Sequence, residues 1–125
     1  MSQTQPVVAI VDDDEFIQRA LTRLLYAAGW HAVTFTSAEA FLQTSMEVSP
    51  ACLVLDVWLP GMTGVELLEH LVATGSLLPA VIITARDDLQ MRLRAMQAGA
   101  VAYLLKPLEG SEILQALQKA RTGGA

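Results

Sequence analysis

The chain has 125 residues, 53% of them apolar (AVILMFWYC) and 17% charged, with 13 acids against 8 bases for a formal charge of −5. That length suits one domain, and so apolar a composition is not that of a disordered chain. An acidic excess without a Lys/Arg cluster argues against this chain itself gripping nucleic acid, and no apolar run approaches the ~20 residues of a membrane helix. The best such run, Ala51–Leu59, is interrupted by Asp56. Met1–Pro6 is polar and uncharged, with the first base at Arg19, so it does not read as a secretory signal. The single cysteine, Cys52, has no internal disulfide partner, and a reducing cytoplasm is the expected compartment.

Short apolar runs alternate with amphipathic stretches five times. Val7–Val11 is a continuous, mostly β-branched run that predicts a buried strand. Phe16, Ala20, Leu21, Leu24, Leu25 and Ala28 follow at helical spacing, ended by Gly29. Ala32–Phe35 predicts a second strand, and Ser37 caps a helix carrying Ala38, Phe41 and Leu42. Pro50 precedes a third run, Ala51–Leu55. Thr63 and Glu66 then form a T-x-x-E capping box ahead of Leu67, Leu68 and Leu71. Pro79 introduces the run Ala80–Thr84. A helix over about Asp88–Ala98 carries Leu89, Leu93 and Met96 and stops at Gly99. Val101–Leu105 is the fifth run, and Ile113, Leu114, Leu117 and Ala120 mark the last helix. Continuous apolar strands alternating with helices imply a parallel sheet covered on both faces. The expected fold is a single doubly wound, flavodoxin-like (βα)5 domain of the α/β class, with strand order 2-1-3-4-5.

In such sheets sites form beyond the carboxyl ends of the strands, so the residues at those ends are the informative ones. Strand one is followed by Asp12-Asp13-Asp14, with neither a dinucleotide-binding nor a phosphate-binding glycine motif. Strand three is followed by Asp56, and strands one and three are neighbours in the expected order. Two carboxylates ~5 Å apart repel by roughly 1–3 kcal/mol even at an effective dielectric near 20. The cluster therefore needs a proton, a base or a cation. With oxygen ligands and no nearby His or Cys, that cation is Mg²⁺, with Mn²⁺ also admissible. Thr84 ends strand four with a hydroxyl beside the small Ala85, and Lys106 ends strand five with an ammonium, followed by Pro107. Taken singly, the acids read as a helix start, Thr84 as a strand-end filler and Lys106 as a solvated charge. Together at one edge they suit a phosphoryl group carried on a carboxylate.

The stretches IVDDD (10–14), LDVWLPGMTG (55–64), ITA (83–85) and AYLLKP (102–107) resemble the signatures of the CheY-like response-regulator receiver domain of two-component signalling. The likeness runs from Val7 to about Arg121 and is nearest to receivers of LuxR/FixJ-type transcription regulators. It implies a tail over residues 1–6, a receiver over 7–121 and the start of a linker or C-terminal tail over 122–125. It also implies that Asp56 is the phosphoacceptor, serving a sensor histidine kinase. Asp13 would ligate Mg²⁺ directly, Asp12 largely through metal-bound water, and the backbone carbonyl of Trp58 would complete the set with Asp56. Lys106 would pair with the phosphoryl group or the acceptor. Thr84 would be the switch hydroxyl, and Tyr103 the aromatic that turns inward when Thr84 moves. The Lys106–Pro107 bond would be cis.

Asp14 matches a variable position and stays outside the metal set. Trp58 and Arg86 fall at variable positions flanking the acceptor and Thr84. The bulk of Trp58 suggests that it screens a phosphoryl group from water.

The output implied is a phosphorylation-driven homodimer through the face of the fourth helix, fifth strand and fifth helix (around Leu89–Ala98 and Val101–Leu105). A DNA-binding domain following this chain would then act on transcription. Such a domain catalyses only its own phosphorylation and dephosphorylation and turns over no metabolite. Two other readings use the same residues. Asp12-x-Asp14 resembles the nucleophile motif of haloacid-dehalogenase-type, Mg²⁺-dependent phosphohydrolases, although 125 residues leave no cap for a substrate. An unphosphorylated docking pseudo-receiver is the other, set against the complete acceptor, metal, Thr and Lys set. His31 and His70 lie away from the carboxyl ends of the strands, Cys52 reads as core, and Met91 and Met96 read as gap-fillers on the fourth helix.

Overall fold

A computed structural model describes residues 5–44 and 49–122. Most of the expected tail and linker, residues 1–4 and 123–125, lies outside them. Five strands alternate with five helices: β1 (Val7–Val11), α1 (Glu15–Ala27), β2 (His31–Phe35), α2 (Ala38–Gln43), β3 (Cys52–Asp56), α3 (Gly64–Ala73), β4 (Ala80–Thr84), α4 (Leu89–Gln97), β5 (Ala102–Leu105) and α5 (Gly110–Arg121). The sheet is parallel throughout, in the expected order β2-β1-β3-β4-β5.

The three inner strands are buried at every residue, because apolar side chains leave both faces and helices cover both. One face packs Ala9, Val11, Leu53, Leu55, Ile82 and Tyr103 against α2, α3 and α4. The other packs Val8, Ile10, Val54, Val81 and Ile83 against α1 and α5. Cys52 belongs to this second layer, and burial pushes its thiol up to about 11, which suits a packing residue.

Local signals place the helix starts. Asp14 accepts from the Phe16 and Ile17 amides at the head of α1, and Ser37 from the Ala40 amide at α2. Thr63 and Glu66 form the expected reciprocal capping box, with bonds of 2.9 and 3.0 Å. Asp88 caps α4 through the Met91 amide.

Element limits shift slightly from the expected ones. β2 takes in His31, and β5 begins at Ala102. Asp56 is the last residue of β3, paired with Ile83, rather than the first residue past the strand. The apolar positions of two helices also differ from a simple inward stripe. In α1, Leu21 and Leu25 are buried, while Phe16 is 72% exposed. In α4 only Ala95 is buried, while Leu89, Leu93 and Met96 face solvent at 66%, 49% and 48%. Helical spacing identifies a face but not its side, and here the smallest apolar residue meets the sheet. Met91 is partly buried against the core, so it is the gap-filler and Met96 is not.

Candidate functional site

Strand register brings the acids together. Val11 pairs with Leu55, so Asp12 emerges beside Asp56 at the carboxyl edge. Asp12 and Asp56 are buried, Asp13 is exposed, and one carboxylate oxygen from each lies within 4.8 Å of the others. Lys106 reaches this cluster from the end of β5. Its Nζ is 2.8 Å from Asp12 Oδ2 and 3.4 Å from Asp56 Oδ1, so it bridges both acids and sits nearer Asp12. The Lys106–Pro107 bond is cis, as the resemblance implies.

Charge balance here is incomplete. Three carboxylates face one ammonium within a partly buried pocket. Burial first, then the charge on Asp12, raises the Asp56 carboxyl from its ordinary 3.8 to about 6, although Lys106 opposes this. For Lys106, burial acts to lower its pKa, but hydrogen bonding to Asp12 and the charge on Asp56 outweigh it and hold the ammonium above its ordinary value. A set of hard oxygen donors with surplus negative charge fits a divalent cation such as Mg²⁺. Asp14 stands apart, because its carboxylate is engaged in capping α1.

Thr84 ends β4 and is fully buried. Its hydroxyl makes no hydrogen bond to Asp56; it donates to the Arg86 carbonyl at 2.9 Å and accepts from the Arg86 amide at 3.2 Å. The Trp58 side chain reaches across to the same loop, where its indole N–H donates to the same carbonyl at 3.2 Å. Tyr103 is already turned inward. It is buried opposite Ile82, with the Arg92 guanidinium 4.6 Å from its ring centre and its hydroxyl without a hydrogen-bond partner among the described residues. His31 opens β2 and His70 lies in the last turn of α3; both are exposed and away from this edge.

Several supporting contacts carry no signal of residue type. Gln18 donates through its side-chain amide to the backbone carbonyls of Asp12 and Phe35, tying α1 to the acid-bearing loop. Glu39 accepts from the Met62 amide at 2.9 Å and braces the β3–α3 loop from α2. Gly61 takes a positive φ of 76° in that loop. Gly64 starts α3 so close beneath the strand that a Cβ there would collide with the Asp56 carbonyl oxygen. The glycines of the PGMTG stretch are visible in the sequence; the braces from Gln18 and Glu39 are not.

Comparison with known proteins agrees with this arrangement. A family model of the response regulator receiver domain matches residues 8–118. Nodulation protein W of Bradyrhizobium diazoefficiens is 39% identical over 116 residues, covering 93% of this chain and 51% of that protein. Transcriptional regulatory protein FixJ of Rhizobium meliloti is 38% identical over 117 residues, covering 94% and 57%. The crystal structure of FixJ-N superposes with a TM-score of 0.85 at 37% identity, with 96% of each chain covered. The chain thus spans about half the length of these full-length relatives. By its strand order, its sheet-edge residues and these similarities, the chain belongs to the response regulator receiver domain family.

Proposed function

We propose that Asp56 accepts a phosphoryl group from a phosphohistidine on a sensor histidine kinase and that the modified domain controls an output outside this chain. The observation that carries this reading is the placement of Lys106 Nζ between Asp12 and Asp56, beside the exposed Asp13, at the edge of the sheet. An Asp56 oxygen attacks phosphorus, an O–P bond forms as the N–P bond to the imidazole breaks, and the departing imidazole takes a proton from solvent. Lys106 offsets charge on the transferring oxygens, and Asp12 holds Lys106 in place. Asp12, Asp13, Asp56 and the Trp58 carbonyl would hold Mg²⁺, or Mn²⁺, which would supply the remaining charge neutralisation. The reaction modifies the domain itself, without turnover of a metabolite.

Thr84 then leaves Arg86 for the phosphoryl group and biases the face of α4, β5 and α5. The exposed Leu89, Leu93, Met96 and Leu105 supply apolar surface there for a homodimer. The unit over residues 7–121 is the receiver; the greater length of its relatives, one of them named a transcriptional regulatory protein, supports an output domain outside this chain, of the DNA-binding kind that the sequence resemblance implies. The reducing cytoplasm is the setting for this partnership; no described helix is long and apolar enough to cross a membrane.

Incubation with acetyl phosphate tests this reading. We expect Mg²⁺-dependent incorporation of phosphate, lost in Asp56→Asn, and a dimer by sedimentation with beryllofluoride and Mg²⁺. Incorporation unaffected by Asp56→Asn refutes the acceptor; a mass that stays monomeric refutes the dimer. The Trp58 side chain spans the loops flanking Asp56, which supports its screening role. Trp58→Ala is expected to shorten the lifetime of the phosphorylated form, and an unchanged lifetime removes that role.

A further inference from the structure

The Arg86 carbonyl accepts two hydrogen bonds that belong to different loops. One comes from the Thr84 hydroxyl at 2.9 Å and the other from the Trp58 indole at 3.2 Å. The Arg86 amide donates back to Thr84 Oγ1 at 3.2 Å, so the hydroxyl is committed to one residue as donor and acceptor. Arg86 is also held through its side chain, because its guanidinium carbon lies 4.3 Å from the centre of the Trp58 ring. Among the described residues that guanidinium has no ion pair. Trp58 stands on firmer ground, since the Gly64 amide donates to the Val57 carbonyl and Glu39 braces the Met62 amide farther along the same loop. An anchored β3–α3 loop therefore grips the β4–α4 loop at two points, through the residue that retains Thr84.

We propose that Trp58 and Arg86 form a clasp that positions the Thr84 hydroxyl away from Asp56 and so sets the threshold for switching. This rests on the reading of Asp56 as acceptor and Thr84 as switch. To reach a phosphoryl group on Asp56, Thr84 must abandon both bonds to Arg86, and the loop must shift to let it. While Trp58 holds Arg86 by ring and indole, that shift is resisted. Both residues act through Thr84, so they are positioning residues. Their side chains can be changed while every backbone carbonyl stays in place.

The clasp is tested by titrating beryllofluoride, which mimics a phosphoryl group on a carboxylate, into the ¹⁵N-labelled chain with Mg²⁺. The Thr84 amide and the indole N–H resonances report the switch. Trp58→Phe removes the indole donor and keeps a ring for Arg86, whereas Arg86→Ala removes the guanidinium and keeps the carbonyl. Each single change should lower the half-saturating beryllofluoride concentration roughly two- to fivefold, from the usual worth of one hydrogen bond or one exposed cation–π contact. Trp58→Ala should lower it roughly tenfold on the same basis, matched by the double variant Trp58→Phe/Arg86→Ala. Arg86→Lys should restore part of the wild-type midpoint. The Trp58 indole signal, distinguished from that of Trp30 by its loss in Trp58→Phe, should move during the wild-type titration.

Thermal melts identify any variant that merely loses stability. Midpoints equal to or above wild type in folded variants overturn the clasp. A wild-type chain whose spectrum ignores beryllofluoride overturns instead the assignment of Asp56 as acceptor.

Discussion

Helices α4 and α5 lie side by side in the chain order, yet they are attached to the sheet in opposite ways. α5 buries Ile113, Ala116, Leu117 and Ala120 in the layer beneath β1, β3 and β4. α4 buries Ala95 alone, packs Met91 partly against the core and turns Leu89, Leu93 and Met96 to solvent. Its other attachments are slight. Arg94 and Glu69 make a 2.6 Å ion pair with both side chains about 40% exposed, which contributes little in water. Arg92 lies over Tyr103 and pairs with Asp87 at 3.3 Å. One helix is part of the frame that holds the acids; the other is seated lightly, immediately after the loop that holds Thr84. A small change at Thr84 therefore meets little resistance in α4 and much in α5.

The largest expected effect breaks or keeps this contrast directly. Leu117→Ala should cost about 2–5 kcal/mol, as for a fully buried leucine, whereas Leu93→Ala should cost below about 1 kcal/mol. Urea unfolding of both variants measures the difference, and equal losses would mean that α4 is packed as firmly as α5. Smaller effects should come from the acid cluster on the frame. Above pH 6 the native chain carries the Asp56 ion in a buried site without metal, which costs stability. That cost is fully present above the raised value of about 6 and disappears as pH falls toward the ordinary 3.8. Asp56→Asn should therefore stabilise the metal-free chain by about 1–3 kcal/mol at pH 7 and by almost nothing near pH 4. A destabilised variant at pH 7 would mean that Lys106 already compensates the charge.

The same titration sharpens the metal assignment. A proton on Asp56 competes with the cation, so Mg²⁺ should bind about tenfold more weakly at pH 5 than at pH 7. Calorimetry at the two pH values measures this, and a pH-independent affinity would place the cation away from Asp56.

Much of this arrangement is readable in the chain. The apolar runs ending in Asp12, Asp56, Thr84 and Lys106 mark the strands and the edge on which the site forms, because a buried strand shows its chemistry where it leaves the core. The Thr63–Glu66 box and the Asp88 cap are local, so four-residue windows contain them. The rest is not local. Leu89, Leu93 and Met96 have the spacing of a core stripe, and only the seating of Ala95 shows that they face out. Arg86 receives Thr84 and the Trp58 indole on its backbone carbonyl, which any residue possesses, and Trp58 is 28 positions away. Gln18 and Glu39 likewise act on backbone groups, across 17 and 23 positions for Phe35 and Met62. Side-chain identity does not encode such contacts; the fold creates them.

Of the three adjacent acids, Asp56 is the one proposed to carry the phosphoryl group. Borohydride reduction after treatment with acetyl phosphate and Mg²⁺ converts an acyl phosphate to a stable alcohol that peptide mass spectrometry can place. Modification is expected at Asp56 alone, lost when the divalent cation is chelated. Modification at Asp12 or Asp13, or at Asp56 regardless of the cation, would contradict it.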